Sequence, residues 1–205
     1  MVKRICLVAV PVILSLILAV WVFSDQGGSA SPVRGTGDLD GDGRIEEYLL
    51  ADHRLRVQEE GQFIWQSPPE WSVDHFVLGD VDNDGTVNLA ISLWKTGSFG
   101  EIKPFWQTGE DTSYKNHLFI LKFTGDTFKP VWCSSDLDCP MVSFAICDVN
   151  GDGLNELVVE EGRYRKVRGN KYTLDAAAPL RTTVWQWEEW GFSRKKASSS
   201  PEGSF

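Results

Sequence analysis

One acidic pattern occurs three times in this chain: Asp38-Leu-Asp-Gly-Asp-Gly43, Asp80-Val-Asp-Asn-Asp-Gly85 and Asp148-Val-Asn-Gly-Asp-Gly153. An internal repeat decides the architecture before any single residue does. Each copy is followed by a strand-like apolar segment, at 47–51, 89–94 and 157–161. The second and third copies are also preceded by one, at 75–78 and 143–147. A second landmark recurs later in each unit: Ile64-Trp65-Gln66, Val131-Trp132-Cys133 and Val184-Trp185-Gln186. Each unit therefore reads as acidic loop, strand, hairpin, and a strand ending in Trp. Further strands are expected at 54–58 and 118–123, with hairpin turns at Glu60-Gly61 and Gly125-Asp126. No amphipathic helical period stands out after residue 37.

The loops carry the chemistry. Oxygen ligands stand at positions 1, 3 and 5: Asp38, Asp40 and Asp42; Asp80, Asp82 and Asp84; Asp148, Asn150 and Asp152. Calcium takes six to eight oxygens at about 2.3–2.6 Å. Alternate residues of a tight loop converge on that radius. Glycine at position 6 permits the turn that brings the backbone carbonyl of position 7 (Arg44, Thr86 or Leu154) onto the ion. Position 9 closes the shell with Glu46, Asn88 or Glu156. The loops gather ten of the chain's 29 acidic residues, so calcium is the expected cofactor.

Position 12 separates the candidate families. A helix–loop–helix calcium hand places an oxygen ligand there. Here it is Leu49, Ile91 or Val159, each inside an apolar run. Loops closed at position 9 and followed by a strand resemble the FG-GAP (VCBS) repeats of integrin-α-like β-propellers. The resemblance covers 37–192 and implies an all-β fold of three propeller-type repeats. A Phe-Gly…Gly-Ala-Pro signature is missing, and Asn88 and Asn150 replace acidic ligands. A closed propeller has four to eight blades. Three units leave an open or irregular stack, a degenerate fourth blade, or a ring closed with another chain.

The N-terminal segment reads as an export signal, with Lys3 and Arg4 on the cytoplasmic side. Lys3 and Arg4 precede an apolar run over 5–23, broken only by Pro11 and Ser15. Its length nearly matches a bilayer core of roughly 30 Å, and signal-peptide cores are usually shorter. Residues 1–23 read as a signal anchor or a cleaved signal peptide, with Gly28 and Ala30 as small residues for a peptidase. In either case the rest of the chain lies outside, membrane-anchored in one pass or secreted. The Gly/Ser/Pro-rich 24–36 reads as a linker, and the Ser-rich 193–205 as a disordered tail. Cys133 and Cys139 bracket a short acidic loop that an exported protein can oxidise; three unpaired thiols, with Cys147, is the alternative.

The formal net charge of −9 opposes a nucleic-acid partner. Enzyme chemistry has little support: His53, His75 and His117 sit in no catalytic motif, and no nucleophile elbow or phosphate loop occurs. The expected function is calcium-dependent interaction with an envelope protein or glycan. The alternative is a secreted or anchored hydrolase-like enzyme on the same scaffold. The insertion 95–116 of the second unit is the best candidate for specific binding, with Phe105, Trp106 and Tyr114 as candidate ligand contacts. Trp65, Trp132 and Trp185 read as core packing.

Overall fold

A computed structural model describes residues 32–98 and 108–195. They form fourteen strands and no helix, so the described residues are all-β, as expected. The first unit is β1 (Val33–Gly37), β2 (Glu46–Ala51), β3 (Arg54–Glu59) and β4 (Gln62–Gln66), an antiparallel meander in that order. The second is β5 (Ser72–Gly79), β6 (Asn88–Thr96), β7 (Tyr114–Phe123) and β8 (Phe128–Cys133), likewise a meander. The third begins with β9 (Met141–Cys147) and β10 (Glu156–Glu161). A hairpin of β11 (Tyr164–Arg168) and β12 (Lys171–Leu174) then intervenes, before β13 (Arg181–Glu188) and β14 (Gly191–Lys195) complete the sheet. Each acidic loop joins the first and second strands of its unit.

The repeat explains the packing. The second sheet lies between the other two and is apolar on both faces, which is why β6 reads as a continuous buried run. Leu89, Ile91 and Leu93 pack with Tyr48, Leu50 and Leu55 of the first sheet. The alternate residues of the second sheet, Ala90, Leu118 and Ile120, pack with Leu157, Val159 and Trp185 of the third. The two outer sheets bury one face each. On the outward face of the first, Arg34, Leu49, Arg56 and Gln66 are register partners, as are Thr36, Glu47 and Gln58. All but Leu49 of these are exposed. On the outward face of the third, Ala145, Glu160 and Thr182 are exposed. Polar outer faces are how stacked repeats end without exposing a core. Among the described residues there is no fourth meander and no closed ring, so the three sheets form an open stack.

Several boundaries differ from the sequence reading. β1 begins at Val33, inside the stretch read as linker, and supplies the first strand that the first unit had lacked. β14 runs to Lys195, into the stretch read as tail. Trp65 and Trp132 stand on the fourth strands of their units, but Trp185 is on β13, a third strand. The Trp landmark is therefore not equivalent in the third unit, where the β11–β12 hairpin shifts the count. Cys133, Cys139 and Cys147 are all unpaired. The apolar run over 5–23 lies outside the described residues. Among those described, no helix is long and apolar enough to cross a membrane.

One buried titratable group gives the fold a pH dependence. His117 is fully buried. Its Nδ1 lies 3.2 Å from the Ser134 carbonyl and therefore carries the hydrogen, while Nε2 has no hydrogen-bond partner, 3.5 Å from Asp136 Oδ1. Burial, and then the Lys95 ammonium, hold the imidazole below its ordinary range, against the opposing pull of Asp136 and Asp111. The unfolded chain takes up a proton below about pH 6.5 that the folded chain refuses. The stability this contributes is present above that pH and is lost as pH falls toward the depressed folded value. His117→Gln is expected to flatten the fall in unfolding midpoint between about pH 7.5 and 5.5. Urea melts at the two pH values measure the slope; equal slopes in variant and wild type contradict it.

Candidate metal centres

The three loops share one construction. In the first, Asp38 Oδ1 accepts the Gly41 N–H at 2.7 Å and Oδ2 accepts the Gly43 N–H at 3.0 Å. In the second, Asp80 accepts from Asp84 at 3.1 Å and Gly85 at 2.9 Å. In the third, Asp148 accepts from Gly151 at 2.7 Å and Gly153 at 2.9 Å. Position 1 thus fastens the turn from within. The glycines at position 6 have φ of 87°, 85° and 88°, the left-handed region that side chains disfavour. Position 5 then accepts the N–H of position 7: Asp42 from Arg44, Asp84 from Thr86, Asp152 from Leu154.

Candidate ligand atoms converge. One carboxylate oxygen each from Asp38, Asp40 and Asp42 lies within 4.8 Å of the others, and the same holds for Asp80, Asp82 and Asp84. Opposite ligands of a calcium ion are about 5 Å apart, so each triplet fits one ion. The third loop has Asn150 at position 3, whose amide nitrogen donates to Asp152 Oδ2 at 3.0 Å and Glu156 Oε1 at 3.2 Å.

Position 9 closes each loop from the start of the second strand. Glu46 is fully buried, and its Oε2 accepts the Leu39 N–H at 2.9 Å. Glu156 makes the matching bond to Val149 at 2.9 Å. Glu46 Oε1 is buried without a hydrogen-bond partner. So are Asp82 Oδ1 and both amide atoms of Asn88, itself fully buried. Buried polar atoms are rarely left unpaired, and each costs about 1–3 kcal/mol. Burial raises the Glu46 carboxyl above its ordinary range, with Asp40 and Asp38 adding to it. Burial, then Asp84, raises Asp82 in the same way. Hydrogen bonds from Arg44 hold Asp42 low, those from Thr86 hold Asp84 low, and the Gly153 N–H leads those that hold Asp148 low. A divalent cation in the loop relieves the crowding of charge and gives the orphaned oxygens a partner.

The loops stand at one end of the stack. Asn83 Oδ1 accepts the Asn155 N–H at 2.7 Å, and Asn83 Nδ2 donates to the Asn155 carbonyl at 3.1 Å. Asn155 Nδ2 donates to the Asp80 carbonyl at 2.8 Å, so the second and third loops are fastened together. A Cβ at Gly125, in the β7–β8 turn, would meet Asp40 Oδ2 at 3.3 Å, which puts the first loop beside the second unit at that same end. Neither asparagine stood out in the sequence, because their partners are 72 residues apart. Arg44 was expected to offer its carbonyl; its side chain also pairs with Asp42 and with Glu59, the latter at 2.6 Å. This cation offsets part of the first loop's charge.

The expected ligand contacts are divided. Phe105 and Trp106 lie outside the described residues. Tyr114 opens β7, half-buried, its ring 6.0 Å from that of Trp94 at an interplanar angle of 21°. The ends of the insertion belong to strands: Lys95 is on β6 and Asn116 on β7, both buried. Of the histidines, His53 is exposed beside Asp74, at 3.0 Å, and His75 is packed against Phe144. No protein-family model matches the chain, and no curated protein matches it.

Proposed function

We propose that this chain is an exported calcium-binding β-repeat module of the FG-GAP (VCBS) type, mediating protein or carbohydrate interaction at the cell envelope. Calcium acts as a structural staple in the three loops, held by the side chains of positions 1, 3, 5 and 9 and the carbonyl of position 7. The N-terminal apolar run either anchors the module to the membrane or is removed on secretion.

The observation that carries the reading is the state of position 9. Glu46 and Asn88 are fully buried, and polar atoms of both lack any hydrogen-bond partner beside a ring of carboxylates. Unpartnered buried oxygens of Glu46 and Asn88 beside converging carboxylates are the arrangement that a divalent cation would satisfy. Further support comes from the three meanders, each carrying its acidic loop between the first and second strands. Three calcium ions would bring the formal charge of −9 to −3.

Calorimetric titration of the chelator-stripped full chain in a non-ionic detergent is the test. Three calcium ions are expected per chain, with dissociation constants of about 10⁻⁴–10⁻³ M, the range of extracellular modules. Asp80→Ala should remove one ion and leave two. Absence of calcium uptake, or uptake unchanged by Asp80→Ala, would overturn the assignment.

A further inference from the structure

The end of the stack opposite the acidic loops carries a feature that the calcium reading does not use. β6 and β10 both run away from their loops, so the end of β6, the start of β7 at Tyr114 and the β11–β12 hairpin meet at that far end. The hairpin holds five basic residues, Arg163, Arg165, Lys166, Arg168 and Lys171, and no acidic one between them, in a chain of formal net charge −9. All five are exposed. None of them takes part in any ion pair among the described residues.

The hairpin is pinned in place. The Tyr164 hydroxyl donates to the Leu137 carbonyl at 3.0 Å and accepts the Asn116 N–H at 3.2 Å. The Asn170 carbonyl accepts the Tyr114 N–H at 2.9 Å, and its side-chain amide donates to Thr112 Oγ1 at 3.1 Å. Half-buried rings line its root. Tyr172 lies 5.7 Å from Tyr164, and the Lys115 ammonium stands 5.3 Å from the centre of each. Lys171 stands 5.2 Å from the centre of Tyr114. Charges on an edge strand also discourage strand addition. That role requires neither five like charges nor a hairpin tied to a neighbouring sheet.

We infer that the β11–β12 hairpin, with the Tyr114 and Tyr172 rings at its root, is a binding surface for an acidic polysaccharide. The inference rests on the interaction reading above and names the chemistry of its partner. Arginine pairs its planar fork with carboxylates of the polymer. The Tyr114 and Tyr172 rings hold Lys171, Lys115 and Lys166 over their faces, and so fix further cations at the root of the hairpin. The acidic remainder of the chain repels a polyanion elsewhere, so the polymer is steered to this one hairpin. Five cations confined to one narrow hairpin of an otherwise acidic chain fit a single acidic polymer strand better than a flat anionic surface, which would meet the acidic remainder as well.

Fluorescence anisotropy of a labelled oligogalacturonate with the calcium-loaded full chain in non-ionic detergent tests this. Saturable binding is expected, with a neutral malto-oligosaccharide failing to compete. Arg163→Ser/Arg165→Ser/Arg168→Ser should weaken it at least tenfold with an unchanged melting temperature, since these three side chains make no ion pair in the fold. The matching triple substitution to lysine keeps the charge and loses the fork, so it should weaken binding by less than the serine variant does. Lys166→Glu, at an exposed side chain in no ion pair among the described residues, is a second readout that should weaken binding severalfold. No saturable binding by the wild type would overturn the inference. So would equal binding by the serine variant, loss in the lysine variant equal to that in the serine variant, or tighter binding to phosphatidylglycerol vesicles or single-stranded DNA. Calcium uptake is read separately by titration, so failure here and failure of the calcium assignment are distinct results.

Discussion

Asn116→Leu is expected to lower the unfolding free energy by about 3 kcal/mol, although the two side chains differ little in shape. Asn116 is fully buried on β7 and ties three elements together. Its side-chain nitrogen donates to Ser92 Oγ at 3.0 Å and to the Leu93 carbonyl at 3.3 Å on β6. Its side-chain oxygen accepts the Met141 N–H at 3.0 Å, at the start of β9 in the third sheet. Leucine removes all three bonds and leaves the Met141 N–H without that acceptor. An orphaned buried donor costs about 1–3 kcal/mol, and the lost bonds to Ser92 and Leu93 add to it. Urea unfolding in calcium measures the difference. A loss below about 0.5 kcal/mol, the range of an indifferent surface change, would contradict this account of how the second and third sheets are joined.

Asn116 also shows where sequence reasoning stopped. In the sequence it closes the insertion 95–116, where polar residues near Gly and Lys look like a loop. Its burial depends on Ser92, Leu93 and Met141, and no local pattern announces partners up to 25 residues away. His117 beside it was hidden for the same reason. The strands that were legible are those with strong local signals. β6 is apolar throughout because both its faces are covered. β10 follows an acidic loop and carries Leu157 and Val159 on its inward face. The turns at Glu60-Gly61 and Gly125-Asp126 adopt positive φ at Glu60, Gly61 and Gly125, as a Gly-containing hairpin turn suggests.

The strands that were missed are polar and marginal to the core. β1 reads Val-Arg-Gly-Thr-Gly and pairs with β2 alone, so it needs little apolar surface. β11 is the outermost strand of its sheet, and only Tyr164 is not exposed along it. The repeat template passed over it and took the next Trp, Trp185, as the landmark of the third unit. The turns of the acidic loops, by contrast, were legible, because the glycine at position 6 and the strand that opens at position 9 leave local signals. Position 1 holds the turn, position 6 takes the left-handed backbone, and position 9 closes the loop from the following strand.

Calcium is expected to produce the second large effect. Each site held at ten times its dissociation constant stabilises the fold by about 1.4 kcal/mol, so three contribute about 4 kcal/mol. That is a large fraction of the roughly 5–15 kcal/mol that holds a domain together. In chelator the proposed sites would keep their carboxylates without a cation to screen them, and the buried oxygens of Glu46, Asp82 and Asn88 would stay unpaired. The most direct measurement is the melting temperature of the full chain in about 10 mM calcium and in chelator, ten times the weakest dissociation constant of an extracellular module. A rise of roughly 8–16 °C with calcium is predicted for a chain of this size. An unchanged melting temperature would contradict the claim that these loops are structural calcium sites.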